Sequence, residues 1–172
     1  MAKDTGLTLV ELLVVLIITA LAVGMALPSL AGLVSDARLT STTNQFITTL
    51  HYARSEAIKR GGTVTLCKSS DSGMCRLDDG WEQGWIVFAD TNGNGLRDLD
   101  EDLLTTTTGH DGELSIIGNH HVQNYIAYRA TGAAITATGA LQIGTVTVCL
   151  RGQARRIILN RAGRPRTERG SC

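Results

Sequence analysis

GLTLVELLVVLIITALAVGMALP, residues Gly6 to Pro28, decides how the rest of the chain is read. Between Leu7 and Leu27 the only charged side chain is Glu11, and 21 residues in a helix extend about 30 Å, the thickness of a bilayer's hydrocarbon core. Lys3 stands before the run, and a cation there keeps that end in the cytoplasm and sends the remainder outward. Two features separate the stretch from an ordinary secretory signal. Its punctuating small residue, Gly6, precedes the apolar run instead of following it. Glu11 sits near the start of a spanning helix, where a carboxylate costs about 2–3 kcal/mol or more without a partner.

Gly6-Leu7-Thr8-Leu9-Val10-Glu11 resembles the type III signal of type IV pilins and type II secretion pseudopilins, with Pro28 at the place of their helix-bending proline. The resemblance implies cleavage after Gly6 by a membrane prepilin peptidase and N-methylation of the new terminus, Leu7. Glu11 becomes the fifth mature residue, an assembly determinant. Its carboxylate would pair with a neighbouring subunit's terminal ammonium in the fibre core, where screening is weak. The expected location is the inner membrane, single-pass, with the C-terminal part periplasmic or carried into a pilus or pseudopilus.

Beyond Pro28, Leu39, Phe46, Leu50, Ala53 and Ala57 follow one another at helical spacing, and Gly61-Gly62 closes the pattern after Lys59 and Arg60. Short β-branched or alternating runs follow at 63–67, 85–89, 103–107, 114–117, 122–128, 141–150 and 155–159, separated by Gly, Asn or Asp, a pattern of antiparallel pairing. The expected fold is α+β and pilin-like, one long N-terminal helix packed on a small antiparallel β-domain. Its divisions are a leader (1–6), a transmembrane or fibre-core helix (7–28), an amphipathic helical half (29–61) and a periplasmic β-domain with a basic tail (62–172).

Size and composition agree with one domain plus one element: 172 residues, 43% hydrophobic, 19% charged, 19 glycines and 2 prolines, which argues against a two-lobed enzyme and excludes wholesale disorder and collagen. The chain has no GxSxG, HExxH or phosphate loop, and Gly93-Asn94-Gly95 is only a turn. We therefore expect no enzyme and no cofactor.

Four cysteines, Cys67, Cys75, Cys149 and Cys172, form an even set without a CxxC pair, which suits two disulfides in an oxidising compartment better than zinc. Of three connectivities, Cys67–Cys75 closes a short loop through Gly73 and Cys149–Cys172 ties the last residue to a strand; this is the favoured pairing.

Residues 90–101 set Asp90, Asn92, Asn94, Asp98 and Glu101 at the spacing of EF-hand calcium ligands. Arg97 stands where an aliphatic residue is usual, and 85–89 reads as a strand, so the favoured reading is an Asn-Gly turn with solvated acids, calcium being the lesser alternative. His110, His120 and His121 read as solvated loop residues.

A formal net charge of zero conceals a strong asymmetry. Eleven acids face three bases between Lys68 and His120, whereas the last 24 residues hold seven arginines and only Glu168, a hint of an anionic partner. Residues 155–166 read as a strand, a glycine turn and a returning tail. Restrained arginines there can meet successive phosphates with bidentate geometry. No aromatic side chains interleave, which argues against single-strand stacking. The helix end Ala53-Arg54-Ser55-Glu56-Ala57, the run Gly84-Trp85-Ile86-Val87-Phe88 and Gly163-Arg164-Pro165-Arg166 resemble the FimT/GspH group of minor pilins and pseudopilins. A Gly-Arg-x-Arg element implies, for FimT-type members, binding of double-stranded DNA during uptake, here through Arg161, Gly163, Arg164, Arg166 and Arg169, with Arg155 and Arg156 as flanks. The expected function is a FimT-like minor pilin that joins pilus assembly and binds DNA; the alternative is a GspH-type pseudopilin of type II secretion. Implied partners are the prepilin peptidase, other minor pilins or pseudopilins, the inner-membrane assembly platform and duplex DNA.

Overall fold

The computed structural model describes Gly6, residues 8–78, 80–110 and 112–172, and for 23–31 the backbone alone. The leader residues before Gly6, the expected first mature residue Leu7 and the side chain of Pro28 lie outside the described residues. Helix α1 spans Leu9–Arg60. The chain divides into two compact units, Met1–Ala37 and Arg38–Cys172, each with its own internal contacts.

In the first unit a capping box opens α1. Thr8 Oγ1 accepts the Glu11 backbone N–H at 3.2 Å, and Glu11 Oε2 accepts in return from Thr8 N at 3.2 Å and Thr8 Oγ1 at 3.1 Å. Glu11 thus satisfies orphan helix donors and sits at the positive end of the helix dipole, a role written in the Thr8-x-x-Glu11 spacing that the sequence reading passed over. Apolar side chains from Leu9 to Leu21 are exposed. Among the described residues no helix is long and apolar enough to cross a membrane, and the side chains of the expected span from residue 23 onward lie outside the description.

Among the described residues, the second unit contains the last six turns of α1 and nine strands. Leu39, Phe46, Leu50, Ala53 and Ala57 are all fully buried, so the helical stripe faces the core as its spacing requires. At its end Gly61 turns into the left-handed region (φ 66°) and Gly62 N–H donates to Ala57 O, a Schellman closure. The strands are β1 (Val64–Lys68), β2 (Gly84–Ala89), β3 (Leu103–Thr108), β4 (Ser115–Gly118), β5 (Tyr125–Tyr128), β6 (Ala134–Ile135), β7 (Gly144–Leu150), β8 (Gln153–Leu159) and β9 (Pro165–Ser171). They form two antiparallel sheets, ordered β3-β2-β1-β5-β6 and β4-β7-β8-β9. One hydrophobic cluster joins both sheets to the helix, with Phe46 edge-on to Trp81 and Trp85 at ring distances of 5.3 and 5.1 Å. Trp85 also donates its indole N–H to Thr49 Oγ1 at 3.2 Å, so the polar end of a buried aromatic is satisfied by the helix itself.

Several expectations are corrected. The basic tail is a full edge strand, β9, paired with β8 over seven residues. Val122 lies in a 3₁₀ turn, His120–Val122, instead of a strand, and Leu141 makes only an isolated bridge to Ile135. His110 is half-buried and not a freely solvated loop residue. Its ring stacks on Trp85 at 5.8 Å, Nε2 meets Gln45 Oε1 at 3.1 Å, and burial, then the charge of Arg38, lower its pKa from 6.5. Cys67 pairs with Cys75 and Cys149 with Cys172, at Cα separations of 5.6 and 5.8 Å. Asp71 shapes the shorter loop by accepting from the N–H groups of Gly73 and Met74, and these bonds, with Arg76, hold its carboxyl well below the usual carboxylate range.

Candidate nucleic-acid interface

The basic residues are organised by the hairpin of β8 and β9. Leu159 pairs with Pro165, leaving residues 160–164 as the loop. Asn160 builds its inside: its Oδ1 accepts from Ala162 N at 2.9 Å and Arg164 N at 3.0 Å, while Gly163 N donates to Asn160 O at 2.9 Å. Arg161 and Arg164 project from this tip and are exposed. Gly163 has φ 70° and is buried, and a Cβ on it would stand 2.5 Å from Gly132 O and 2.9 Å from the Tyr128 ring. The glycine of Gly-Arg-x-Arg therefore turns the chain and also seats the arginine loop on the neighbouring sheet. Gly132 O in turn accepts from Arg54 Nε at 2.8 Å, so the helix end Ala53-Arg54-Ser55-Glu56-Ala57 fixes the surface on which the loop rests. Burial raises the pKa of Tyr128 beneath it, keeping the phenol neutral.

Alternation distributes the strand arginines between two faces. In β7 and β8 the core side holds Val146, Val148, Ile157 and Leu159. By register Arg155 and Arg169 lie on that side, while Arg156, Arg166 and Glu168 lie on the outer one with Thr145 and Thr147. Arg161, Arg164 and Arg166 thus lie together at one end of the hairpin, and Arg169 stands apart on the opposite face of its strand. Cys149–Cys172 pins the far end of β9 beside the Arg151-Gly152 turn, whose two positive φ angles (49° and 81°) make a tight hairpin.

The acidic loop is held by a dense hydrogen-bond network that also reaches β1 and the Cys67–Cys75 turn. Asp90 and Glu101 are buried, not solvated as expected from sequence, because their partners lie close in space. Asp90 accepts from Thr65 Oγ1 at 2.7 Å, Asn94 N at 3.1 Å and Gly95 N at 3.0 Å; Glu101 accepts from Thr91 N and Oγ1 and from Asp98 N. Asn92, Asn94 and Asp98 bond one another or adjacent N–H groups. Arg97 fits this arrangement: it reaches Gly73 O at 2.8 Å and Glu101 O at 2.9 Å, tying the loop to the Cys67–Cys75 turn. Among the described residues no group of three His, Cys, Asp or Glu is placed to hold a metal.

A long helix packed on antiparallel sheets is the pilin-like fold. The type IV minor pilin FimU of Pseudomonas aeruginosa shares it over 77% of this chain and 90% of that one, with a TM-score of 0.57 and 19% identity. The minor pseudopilin EpsH of the Vibrio cholerae type 2 secretion system shares it over 76% and 96%, at a TM-score of 0.50 and 15% identity. Residues 42–163 match the family model described as type II transport protein GspH, and residues 1–27 match the prokaryotic N-terminal methylation motif. The chain belongs to the GspH family of minor pilins and pseudopilins, structural subunits and not enzymes. It is also 30% identical over 171 residues to the pilin-like protein PilA1 of Thermus thermophilus, covering 95% of this chain and 97% of that one.

Proposed function

We propose that this protein is a FimT-like minor pilin that enters a type IV pilus from the inner membrane and displays a site for double-stranded DNA on its β8–β9 hairpin. The observation that carries the reading is the seated loop: Gly163 locks Arg161 and Arg164 at an exposed tip, with Arg166 one strand step away. Ordering these guanidinium groups before binding lowers the entropy lost on contact with phosphate, and their fork suits phosphate oxygens. Backbone contacts of this kind carry no sequence information, so binding is sequence-neutral and strongly salt-dependent. In this reading the prepilin peptidase cuts after Gly6, Leu7 is methylated, the exposed apolar side chains from Leu9 onward face lipid and then the fibre core, and Glu11 meets a neighbouring terminus. The β-bearing unit faces the periplasm. Other minor pilins and the inner-membrane platform are its assembly partners.

A pseudopilin of type II secretion is the second reading, favoured by the GspH family description and the fold shared with EpsH. Titrating fluorescent duplex with the full chain in non-ionic detergent separates the two. Salt-sensitive binding that depends on Arg164 and Arg166 supports the first, and no binding at low salt returns the chain to a purely assembly role.

A further inference from the structure

The outer face of β9 carries alternating charge. Arg166 and Glu168 lie two residues apart on that face and pair at 3.2 Å (Nη2 to Oε1), both substantially exposed. The next outer position is Gly170, and there a Cβ would stand 3.2 Å from Arg156 Cζ and Nε. The Arg156 guanidinium therefore lies across the edge strand in the space that a glycine leaves open. Register agrees, since Arg156 stands opposite Glu168. Successive same-face positions on a strand are about 6.6 Å apart. The row is thus cation, carboxylate, cation along one sheet edge, continuous with Arg164 at the loop tip. Arg155 and Arg169 lie on the other face.

Resting on the DNA reading above, we infer that Arg156, and not Arg169, is the further phosphate-binding arginine, and that Glu168 is an internal competitor which a duplex phosphate must displace from Arg166. A phosphate brought to this row meets Arg166 already engaged by a carboxylate of the same charge as the ligand. Binding exchanges one ion pair for another, so Glu168 lowers affinity and keeps contact reversible. The competitor is weak because an exposed ion pair of this kind is worth little. Its removal tightens binding modestly, because the phosphate then meets Arg166 without an exchange of partners.

The test is anisotropy of a fluorescent duplex, titrated with the full chain in non-ionic detergent at several salt concentrations. Seven forms are compared: wild type, Arg156→Gln, Arg169→Gln, Glu168→Gln, Glu168→Gln with Arg166→Gln, Arg164→Gln with Arg166→Gln, and Asp100→Asn, the last removing an exposed acid elsewhere as a control for net charge. We expect Arg156→Gln to weaken binding and flatten the log–log salt slope by about 0.9. Arg169→Gln should change it little. Glu168→Gln should bind up to about fivefold tighter, the scale of an exposed ion pair. Most of that gain should vanish when Arg166→Gln is added. The inference is overturned if Glu168→Gln binds no tighter than Asp100→Asn, or if Arg169→Gln loses as much as Arg156→Gln. If Arg164→Gln with Arg166→Gln loses binding while Glu168→Gln changes nothing, this inference alone fails; absence of binding by every form at low salt defeats the DNA reading with it.

Discussion

Gly163 is packed against the backbone oxygen of Gly132 so closely that a methyl group would overlap it, at 2.5 Å. That single approach couples the arginine loop to the β5–β6 turn and, through the Arg54 bond to the same oxygen, to the helix. Gly139 has a similar φ, 81°, with nothing within 4 Å of a would-be Cβ. Gly139→Ala should therefore cost only the left-handed backbone penalty, about 1–2 kcal/mol. Gly163→Ala adds the overlap and should cost distinctly more, read as the larger fall in Tm of the two. Equal losses would mean that the loop is not seated as described.

Asp90 anchors the acidic loop from inside. Asp90→Ala strands Thr65 Oγ1 and Gly95 N, while Asn94 N keeps Asn92 Oδ1, and should destabilise the protein by about 2–4 kcal/mol in urea unfolding, as expected when buried donors lose their acceptor. Because the same oxygens already serve the loop, calcium should bind weakly or not at all. A calorimetric dissociation constant below about 10⁻⁵ M, the sensor range of EF-hand sites, would contradict this.

The legible parts of the sequence were those whose partners share a period or a loop. Leu39, Phe46, Leu50, Ala53 and Ala57 form one helical stripe, and all five are buried. β2 is a continuous apolar run because both its faces are covered. β9 was illegible as a strand for the opposite reason: Pro-Arg-Thr-Glu-Arg-Gly-Ser is an exposed edge with no buried side to alternate against. The burial of Asp90 depends on Thr65, 25 residues away, and the seating of Gly163 on Gly132, 31 residues away; neither pairing leaves a local signal. The arginines themselves were visible, but their division between two faces became readable only once the register of β8 and β9 was known.

His110 gives the fold a pH response of defined sign. Its folded pKa is lowered from 6.5, first by burial against Trp85 and then by Arg38, so the folded protein prefers the neutral ring and the unfolded chain binds the proton more readily. Its contribution is fully present above pH 6.5 and is lost as pH falls through the lowered folded value. The Tm of the wild type should decline over that interval more steeply than that of His110→Gln. Parallel curves would remove His110 as the cause.

Processing follows from the methylation motif matched by residues 1–27. Mass spectrometry of protein recovered from membranes of a host with a prepilin peptidase should find a mature chain that begins at methylated Leu7. Gly6→Val should leave the longer precursor. A mature start at Met1, or beyond Leu27, would be inconsistent with the pilin-type signal.

The salt dependence of duplex binding tests the central claim most directly. With about four phosphates neutralised, at about 0.9 per contact for B-form DNA, the logarithm of affinity should fall against the logarithm of salt concentration with a slope near −3.6. Arg164→Gln with Arg166→Gln, both exposed and outside the core, should flatten that slope by about 1.8 while leaving thermal unfolding unchanged. Binding that is absent at low salt, or a slope identical in the double variant, would contradict the account.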